Sequence, residues 1–234
     1  MTNMASGNSI AEIAALIGDT ARANMLSELM GGQALTAGEL ARAAGVSAQT
    51  TSGHLAKLQD AGLITLERQQ GRHRYFRITS PEIAHVMEAL SSAAARGPKR
   101  YRPTGPKDEA MRFARTYYDH MAGQLGTSLT DTLCRRGHVI LSDGAGVITE
   151  EGQRFFCDFG IDLEPAKASR RSFCRTCLDW SERRPHLAGW LGAAILSRSL
   201  DLGWVARSPE SRALQVTKAG RVGFSAQFEI VSTP

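Results

Sequence analysis

Two short helices separated by a sharp turn are the clearest feature in the pattern of apolar and polar positions. Thr36 and Glu39 form a capping-box pair, so a helix is predicted to begin here and to end at Gly45. Ser47 is placed to cap a second helix, predicted over residues 48–61. Two helices joined by a short turn that contains a glycine are typical of a helix-turn-helix.

The second helix divides into a packing side and an outer side. Thr51, Leu55 and Leu58 share one side, whereas small or polar residues occupy the other. Amides, hydroxyls and cations are the groups that contact base edges in a DNA major groove. The alternative is an ordinary amphipathic surface helix. The residues predicted to contact DNA from this helix and its cap are Ser47, Gln49, Thr50, Ser52, Gly53, His54 and Lys57.

A basic β-hairpin is predicted directly after these helices. Residues 63–67 and 73–78 alternate as strands do, and the segment between them contains Gly71. The hairpin carries five basic residues that are not interrupted by an acid, which suits contact with phosphates, although a solvated charge run is the alternative. These five are Arg68, Arg72, His73, Arg74 and Arg77, of which Arg72, His73 and Arg74 are predicted to lie on DNA.

Together these segments resemble the ArsR/SmtB-type family of winged helix-turn-helix repressors. The match covers residues 1–95, and the family implies a homodimer that represses transcription until an effector binds. It also implies that the first helix and the helix after the wing, residues 82–95, build the dimer interface. The matching motifs are Gly18-Asp19-Thr20-Ala21-Arg22 with Met25-Leu26, Val46-Ser47 with Ser52, His54 and Leu55, and Ala61-Gly62-Leu63-Ile64.

The two metal sites that this family uses most often are absent or incomplete. Its thiolate site would fall on Thr36, Ala37 and Gly38, none of which is a metal ligand of that kind. Its other site would fall on the helix after the wing, where only His85 and Glu88 are suitable. A sensor for an effector is therefore expected elsewhere in the chain.

The whole chain is predicted to be a mainly helical α+β protein, with a helical C-terminal domain that carries short β-hairpins. Residues 1–95 are the predicted DNA-binding and dimerisation domain. Residues 96–107 contain three prolines, two glycines and five basic residues without an acid, which is typical of a linker. Residues 108–234 are the predicted regulatory domain, which adds dimer contacts and receives the effector.

Within the second half, apolar spacing over residues 111–125 predicts a helix with a narrow seam. A quasi-repeat is also present, in which a helix, a hairpin and a threonine-capped helix recur. Its three copies are marked by Gly62-Leu63-Ile64 with Ile78-Thr79, Gly137-His138-Val139 with Ile148-Thr149, and Gly203-Trp204-Val205 with Val216-Thr217.

Cysteines provide the main candidate chemistry of the second half. Cys174 and Cys177 lie in a segment predicted as a helix over residues 173–184, where a spacing of three would place both thiols on one side. Cys157, or Cys134, would supply a third ligand. Nearby Arg170, Arg171 and Arg175 are expected to lower a thiol pKa. Three interpretations stay open: packing, a soft metal or metalloid site, and thiol-based redox sensing.

Tryptophans offer a different sensor. Trp180, Trp190 and Trp204 could line a pocket for an apolar organic effector, or could belong to the core. Residues 185–200 are predicted to form one apolar helix, with His186 near its start as a capping or surface residue. The sequence does not decide whether the protein binds a soft metal or metalloid ion or has no cofactor.

Composition and motifs narrow the function further. The formal net charge of +5 and the pI near 9.3 suit an anionic partner. No apolar run reaches the roughly 18 residues of a membrane span, and no export signal is present, so a cytoplasmic protein with reduced cysteines is expected. Hydrolase, phosphate-loop and zinc-protease motifs are lacking, which favours a protein that is not an enzyme.

The predicted function is an effector-responsive, DNA-binding transcriptional regulator. Its predicted partners are double-stranded operator DNA, a second copy of the chain and a small effector, with no membrane. The alternative is a protein-interaction adaptor that keeps the fold without specific DNA binding. The basic wing favours the regulator.

Overall fold

The computed structural model describes residues 6–70, 73–96, 106–142, 144–169, 171–179, 181–208 and 211–230. By their internal contacts, the residues form two compact units, Met1–Ala89 and Leu90–Pro234. None of the helices in these described ranges is both long enough and apolar enough to cross a membrane.

The first unit contains the predicted helix-turn-helix and wing. Its elements are α1 (Gly7–Ile17), α2 (Thr20–Leu29), β1 (Leu35–Thr36), α3 (Ala37–Ala44), α4 (Ala48–Asp60), β2 (Ile64–Gln70) and β3 (His73–Ile78). The helix α5 (Pro81–Arg96) follows the wing and continues past the boundary between the units. The three strands form one antiparallel sheet in the order β1-β3-β2.

Local capping explains why α3 begins and ends where it does. The Thr36 amide donates to Glu39 Oε2 at 2.7 Å, and the Glu39 amide donates to Thr36 Oγ1 at 3.3 Å, so the predicted capping box is confirmed. Gly45 ends α3 in the left-handed region, at φ 67°. The core beneath these helices includes Met25 and Phe76, each at most 1% exposed.

The second unit alternates helices with short hairpins. Its elements are α6 (Pro106–Phe113), β4 (Arg115–Tyr117), β5 (His120–Ala122), α7 (Gly123–Arg135), β6 (Val139–Ser142), β7 (Ala145–Ile148), α8 (Glu150–Asp158), α9 (Glu164–Ala168), β8 (Arg175–Leu178), β9 (Pro185–Ala188), α10 (Gly189–Asp201), β10 (Val205–Arg207), β11 (Leu214–Val216) and α11 (Lys218–Phe228). One sheet has the order β6-β7-β8-β9, and the pairs β4-β5 and β10-β11 form two smaller ones.

The predicted quasi-repeat is present in the second unit. The segments α7-β6-β7-α8 and α10-β10-β11-α11 are both a helix, a hairpin and a threonine-capped helix. Thr149 caps α8 and donates its hydroxyl to Gly137 O at 2.7 Å, while Thr217 caps α11 and donates to Gly203 O, also at 2.7 Å. The two hairpins differ in length, since Gly137 and Thr149 are 12 positions apart and Gly203 and Thr217 are 14 apart, yet they make the same local contacts.

The repeat is longer than the sequence analysis predicted, because a further hairpin precedes each long helix. The hairpin β4-β5 leads into α7 and β8-β9 leads into α10. At both junctions a glycine has a positive φ, 82° at Gly123 and 77° at Gly189. A Cβ at either glycine would lie less than 3 Å from a backbone oxygen, Arg112 O or Ser172 O respectively.

Three helix predictions are therefore wrong. The predicted helix over residues 111–125 is divided between α6, the β4-β5 hairpin and the start of α7. The predicted helices over residues 173–184 and 185–200 are replaced by β8 and β9, and only α10 remains helical. Pairing between β8 and β9 supplies backbone hydrogen bonds that short-range apolar spacing does not reveal.

The two repeats exchange contacts in both directions. Helix α7 of the first repeat packs against β9 of the second, and α10 of the second packs against β5 of the first. The Leu187 amide on β9 donates to Thr130 Oγ1 on α7 at 2.9 Å, and both groups are buried. Gly126 and Gly192 lie at this junction, where a Cβ would be 3.7 Å from His186 Cβ and 3.1 Å from His120 Cβ, respectively, so each glycine faces the histidine of the other repeat.

We predict that Gly152→Ala lowers the free energy of unfolding by about 1–3 kcal/mol, because overpacking against rigid backbone is costly. A Cβ at Gly152 would lie 2.0 Å from His138 O. Thermal denaturation followed by circular dichroism measures the change. Gly53→Ala is the control, since its Cβ would meet nothing within 4 Å and alanine favours a helix by about 1 kcal/mol. Equal stability of the two variants would contradict the close contact.

Candidate nucleic-acid interface

Two of the hydroxyls that were predicted to contact DNA form hydrogen bonds at the N-terminal cap of α4. The Thr50 amide donates to Ser47 Oγ at 3.2 Å, and Ser47 Oγ lies 2.9 Å from Thr50 Oγ1. Both residues are exposed, yet their hydroxyls already hold the helix start together. Their first role is thus to fix where α4 begins, which sets the rotation of its outer face.

The two sides of α4 are arranged as predicted. Thr51, Leu55 and Leu58 are at most 3% exposed, and the Thr51 hydroxyl donates to Ser47 O at 2.8 Å. The outer side is open, and no atom lies within 4 Å of a Cβ built at Gly53. A glycine here gives the helix a shallow place at which another surface can come close. The exposed residues of this outer side are Gln49, Ser52, Gly53, Ala56 and Lys57.

His54 differs from the other candidates because its ring contacts the protein. Its Nδ1 lies 3.4 Å from Arg22 Nη1 and 3.9 Å from Asp19 Oδ1, and its side chain is 15% exposed. Arg22 is fixed in turn, since its Nε donates to Leu16 O at 2.6 Å. The backbone N–H of Arg22 lowers the pKa of Asp19. His54 therefore joins α4 to α2.

Cations on the wing lie on aromatic rings or beside polar groups. The Arg68 guanidinium lies 4.5 Å from the Tyr75 ring centroid, and that of Arg74 lies 5.2 Å from the Phe76 ring centroid. Arg74 also donates to Gln59 Oε1 on α4 at 3.3 Å. These contacts hold both cations along the wing, and Arg74 is exposed next to the C-terminal half of α4.

One expectation for the wing needs correction. Arg77 is paired with Glu67 at 2.9 Å, so an acid does neutralise part of the basic hairpin. A register shift between Leu66 and Arg68 places Glu67 at a bulge in β2. Arg72 and the side chain of His73, both predicted to contact DNA, lie outside the described residues.

In the second unit, the structure separates the cysteines that were predicted to act together. Residues 175–178 are a strand, so Cys174 and Cys177 do not share one side of a helix. Both are buried, at 3% and 5% exposure, while Cys157 is exposed on α8 and Cys134 is half-buried. Burial and the nearby Cys134 raise the pKa of Cys174 to about 11, opposite to the predicted lowering by arginines.

Cys177 instead lies with two histidines that were not predicted as ligands. Its Sγ and nitrogens of His120 and His186 lie within 4.8 Å of one another, and all three residues are buried. The sequence did contain a signal for this cluster, because His-x-Ala-Gly-x-Leu-Gly occurs at residues 120–126 and again at 186–192. Only the fold shows that the two copies meet.

Of the three tryptophans, the two that the structure describes, Trp190 and Trp204, lie in different surroundings. Trp204 is partly buried and packs against the core, with its ring centroid 5.0 Å from that of Phe224 and 5.5 Å from that of Phe159. Trp190 stacks on Phe173 at 5.8 Å and lines an open cleft of about 420 Å³. Trp180 lies outside the described residues. The cleft is also lined by charged side chains, namely Asp162, Arg171, Arg198 and Asp201.

Known proteins match both the first unit and the full length. A family described as a helix-turn-helix domain matches residues 9–67. The uncharacterized HTH-type transcriptional regulator YdfF of Bacillus subtilis (strain 168) is 39% identical over 221 residues, which is 94% of this chain and 97% of that protein. The HTH-type transcriptional regulator YgaV of Escherichia coli (strain K12) is 39% identical over 79 residues, 32% of this chain and 80% of that protein.

Similar solved structures match less than half of the chain. NolR from Sinorhizobium fredii is 22% identical, with a TM-score of 0.35, and the match covers 40% of this chain and 96% of that one. The similarity to YdfF, in contrast, continues through the second unit.

We predict that thiol reagents distinguish Cys157 from Cys174 at neutral pH. Cys157 is exposed and should react rapidly, whereas Cys174 is buried and mostly protonated, since its pKa is about 11. Labelling at increasing pH, with peptide mass mapping, measures both rates. The Cys174 rate should rise as the pH approaches its pKa. Rapid labelling of Cys174 at pH 7 in the folded protein would contradict this prediction.

Proposed function

Because the chain belongs to the ArsR/SmtB-type family of winged helix-turn-helix transcriptional regulators, we propose that it is a homodimeric repressor that leaves an inverted-repeat operator when an effector binds. Members of this family regulate transcription by binding DNA. The dimer, the repression and the effector response are the proposed part.

The observation that carries the DNA-binding proposal is the two-sided structure of α4. One side is buried to 3% exposure or less, and the other offers an amide, a hydroxyl, a glycine and an ammonium group to solvent. In this arrangement Gln49 and Ser52 contact base edges, with Lys57 at the flank. The Ser52 hydroxyl donates to Ala48 O at 3.1 Å, which leaves its oxygen able to accept from a base.

The wing complements this helix by contacting phosphates. Arg74 is exposed, and its contacts with Gln59 and the Phe76 ring hold it close to α4. A guanidinium held in this way contributes affinity and orientation without base preference. Arg77 contributes less, since Glu67 already neutralises it.

The dimer proposal rests on exposed apolar residues of α1 and α5, the two helices that the family resemblance assigns to the interface. Ile10 on α1 is 63% exposed, and Val86 and Leu90 on α5 are 41% and 45% exposed. Exposed apolar side chains of this size favour an interface with a second copy. A twofold dimer would present its α4 helices to half-sites about one or two DNA turns apart.

The effector is assigned to residues 108–234 in this proposal. The family's usual metal positions in the first unit are absent or incomplete, while the buried histidine and cysteine cluster and the open cleft both lie in the second unit. The second unit is also shared with the full-length relative.

We predict that Gln49→Ala and Arg74→Ala affect DNA binding differently. Loss of a base contact should change sequence preference by about 1–3 kcal/mol at one position, whereas loss of a phosphate contact should weaken all sequences and reduce the salt slope by about one. Fluorescence anisotropy on operator and scrambled DNA over a salt series measures both effects. Arg77→Ala is the matched control and should change the salt slope less. Absence of a specific footprint upstream of the protein's own gene would argue against the regulator.

A truncation tests where the effector acts. We predict that a chain ending at Arg96 still binds the operator, while no longer releasing it to an inducer identified with the full chain. A release screen with metal ions, oxidants and apolar organic compounds identifies that inducer. A normal response of the truncated chain would place the sensor in residues 1–96 and overturn the assignment.

A further inference from the structure

Two histidines at equivalent places in the two repeats face each other in the interior of the second unit. His120 begins β5, and His186 is the second residue of β9; these strands lie next to each other. The side chains are 0% and 1% exposed, and the Nε2 atoms are 3.1 Å apart. Each histidine introduces one copy of His-x-Ala-Gly-x-Leu-Gly, so the contact joins the repeats at corresponding atoms.

A cysteine completes the group from a third strand. Cys177 on β8 is directly opposite His186 in the β8-β9 ladder. The three ligand atoms lie within 4.8 Å of one another. In the first repeat, the position opposite His120 is Tyr117. The group therefore contains two imidazoles and one thiol, and only one repeat supplies the sulfur.

Carboxylates lie on the far side of both imidazoles. Asp119 Oδ1 is 3.4 Å from His120 Nδ1, and Asp179 Oδ2 is 3.6 Å from His186 Nδ1. His186 Nδ1 is buried and makes no hydrogen bond. A proton on each Nδ1 would be attracted to its carboxylate and would direct the Nε2 lone pair of each ring into the space between them, as in carboxylate-histidine-metal sites.

The separation of the donor atoms fits a four-coordinate ion. Zinc bonds of about 2.0–2.1 Å to nitrogen and 2.3 Å to sulfur at tetrahedral angles place ligand atoms roughly 3.3–3.6 Å apart. The Nε2 atoms, at 3.1 Å, are already near this separation. The Cys177 sulfur lies within 4.8 Å of both nitrogens, so it would have to approach them by roughly 1.2 Å at most to bind the same ion. Imidazole and thiolate donors favour zinc, cobalt or copper over the hard ions magnesium and calcium.

We propose that His120 Nε2, His186 Nε2 and Cys177 Sγ bind a transition-metal ion of the Zn²⁺ class between the two repeats. Three protein ligands leave one coordination position for water or a small thiol. Loss of the Cys177 proton on binding supplies the thiolate. The role of this ion as the effector rests on the proposed function. The binding of the ion to the three residues does not depend on that function.

Direct metal binding by the full-length, reduced chain is the first test. Titration with Co²⁺ should show one ion per chain, with the intense visible bands of a four-coordinate site and a thiolate-to-cobalt charge-transfer band. Cys177→Ser should remove the charge-transfer band and weaken binding by about 10-fold or more. Cys157→Ser is the matched control on an exposed cysteine and should change neither. If the two histidines instead share a proton and bind no metal, Co²⁺ will not bind stoichiometrically. That result would overturn the proposal.

X-ray absorption of the zinc-loaded wild-type chain gives an answer that does not depend on a variant's folding. The expected first shell contains one sulfur at about 2.3 Å and two imidazole nitrogens at about 2.0–2.1 Å. A first shell without sulfur would overturn the site. His120→Gln should lower Zn²⁺ affinity, measured by chelator competition, while circular dichroism checks its fold.

A separate measurement tests the regulatory use of the site. Zn²⁺ should release operator DNA from the wild-type chain and from Cys157→Ser, but about 10-fold less effectively from Cys177→Ser. If Zn²⁺ binds tightly but does not release DNA, the metal site stands and the role of Zn²⁺ as the effector is overturned. Failure of the metal-free chain to bind any operator would overturn the proposed function, while the cobalt and absorption results would still decide the metal site.

Discussion

The buried carboxylate of Asp179 holds the second unit together. One oxygen accepts from Arg115 Nη2 at 2.8 Å and from the Gly123 amide at 2.6 Å, and the other accepts from the Ser181 and Glu182 amides at 2.9 and 3.0 Å. Burial raises the pKa of Asp179, yet Arg115 and these donors hold it well below its usual range. Removal of one partner from a buried ion pair typically costs about 3–5 kcal/mol.

This one residue also determines where the candidate metal ligands lie. Asp179 turns the chain after β8, so that β9 returns with His186 opposite Cys177. Its bond to the Gly123 amide fixes the start of α7, three residues after His120. A carboxylate from the second repeat thereby positions a histidine of the first. The candidate metal ligands lie close together because the buried Asp179 carboxylate needs hydrogen-bond donors from several segments of the chain, and those segments carry the ligands.

Elements determined by neighbouring residues could be predicted, and elements determined by distant ones could not. The helix-turn-helix was predictable because Thr36, Glu39 and Ser47 cap their helices through residues three positions away. The strand at Cys177 was missed because its partner is nine positions later, and because apolar spacing over residues 173–184 also fits a helix. His120 was missed as a ligand because it meets His186 only through packing between the repeats. The contact between His54 and Arg22 was also missed, because it spans 32 positions; His54 stays a predicted DNA contact.

The exchange of contacts between the repeats has a consequence for how the second unit folds. In a solenoid, each repeat contacts its neighbours through one face, and its stability adds to theirs. Here α7 packs against β9 as well as its own β5, and α10 packs against β5 as well as its own β9, so both helices cover the second strand of each half. Part of the cover of each strand comes from the other half, so the loop-closure entropy of bringing the halves together is offset fully only when they meet. We therefore expect the unit to fold slowly, in a single cooperative transition. Cleavage between the repeats, near residues 162–171, would leave two fragments that fold only as a complex.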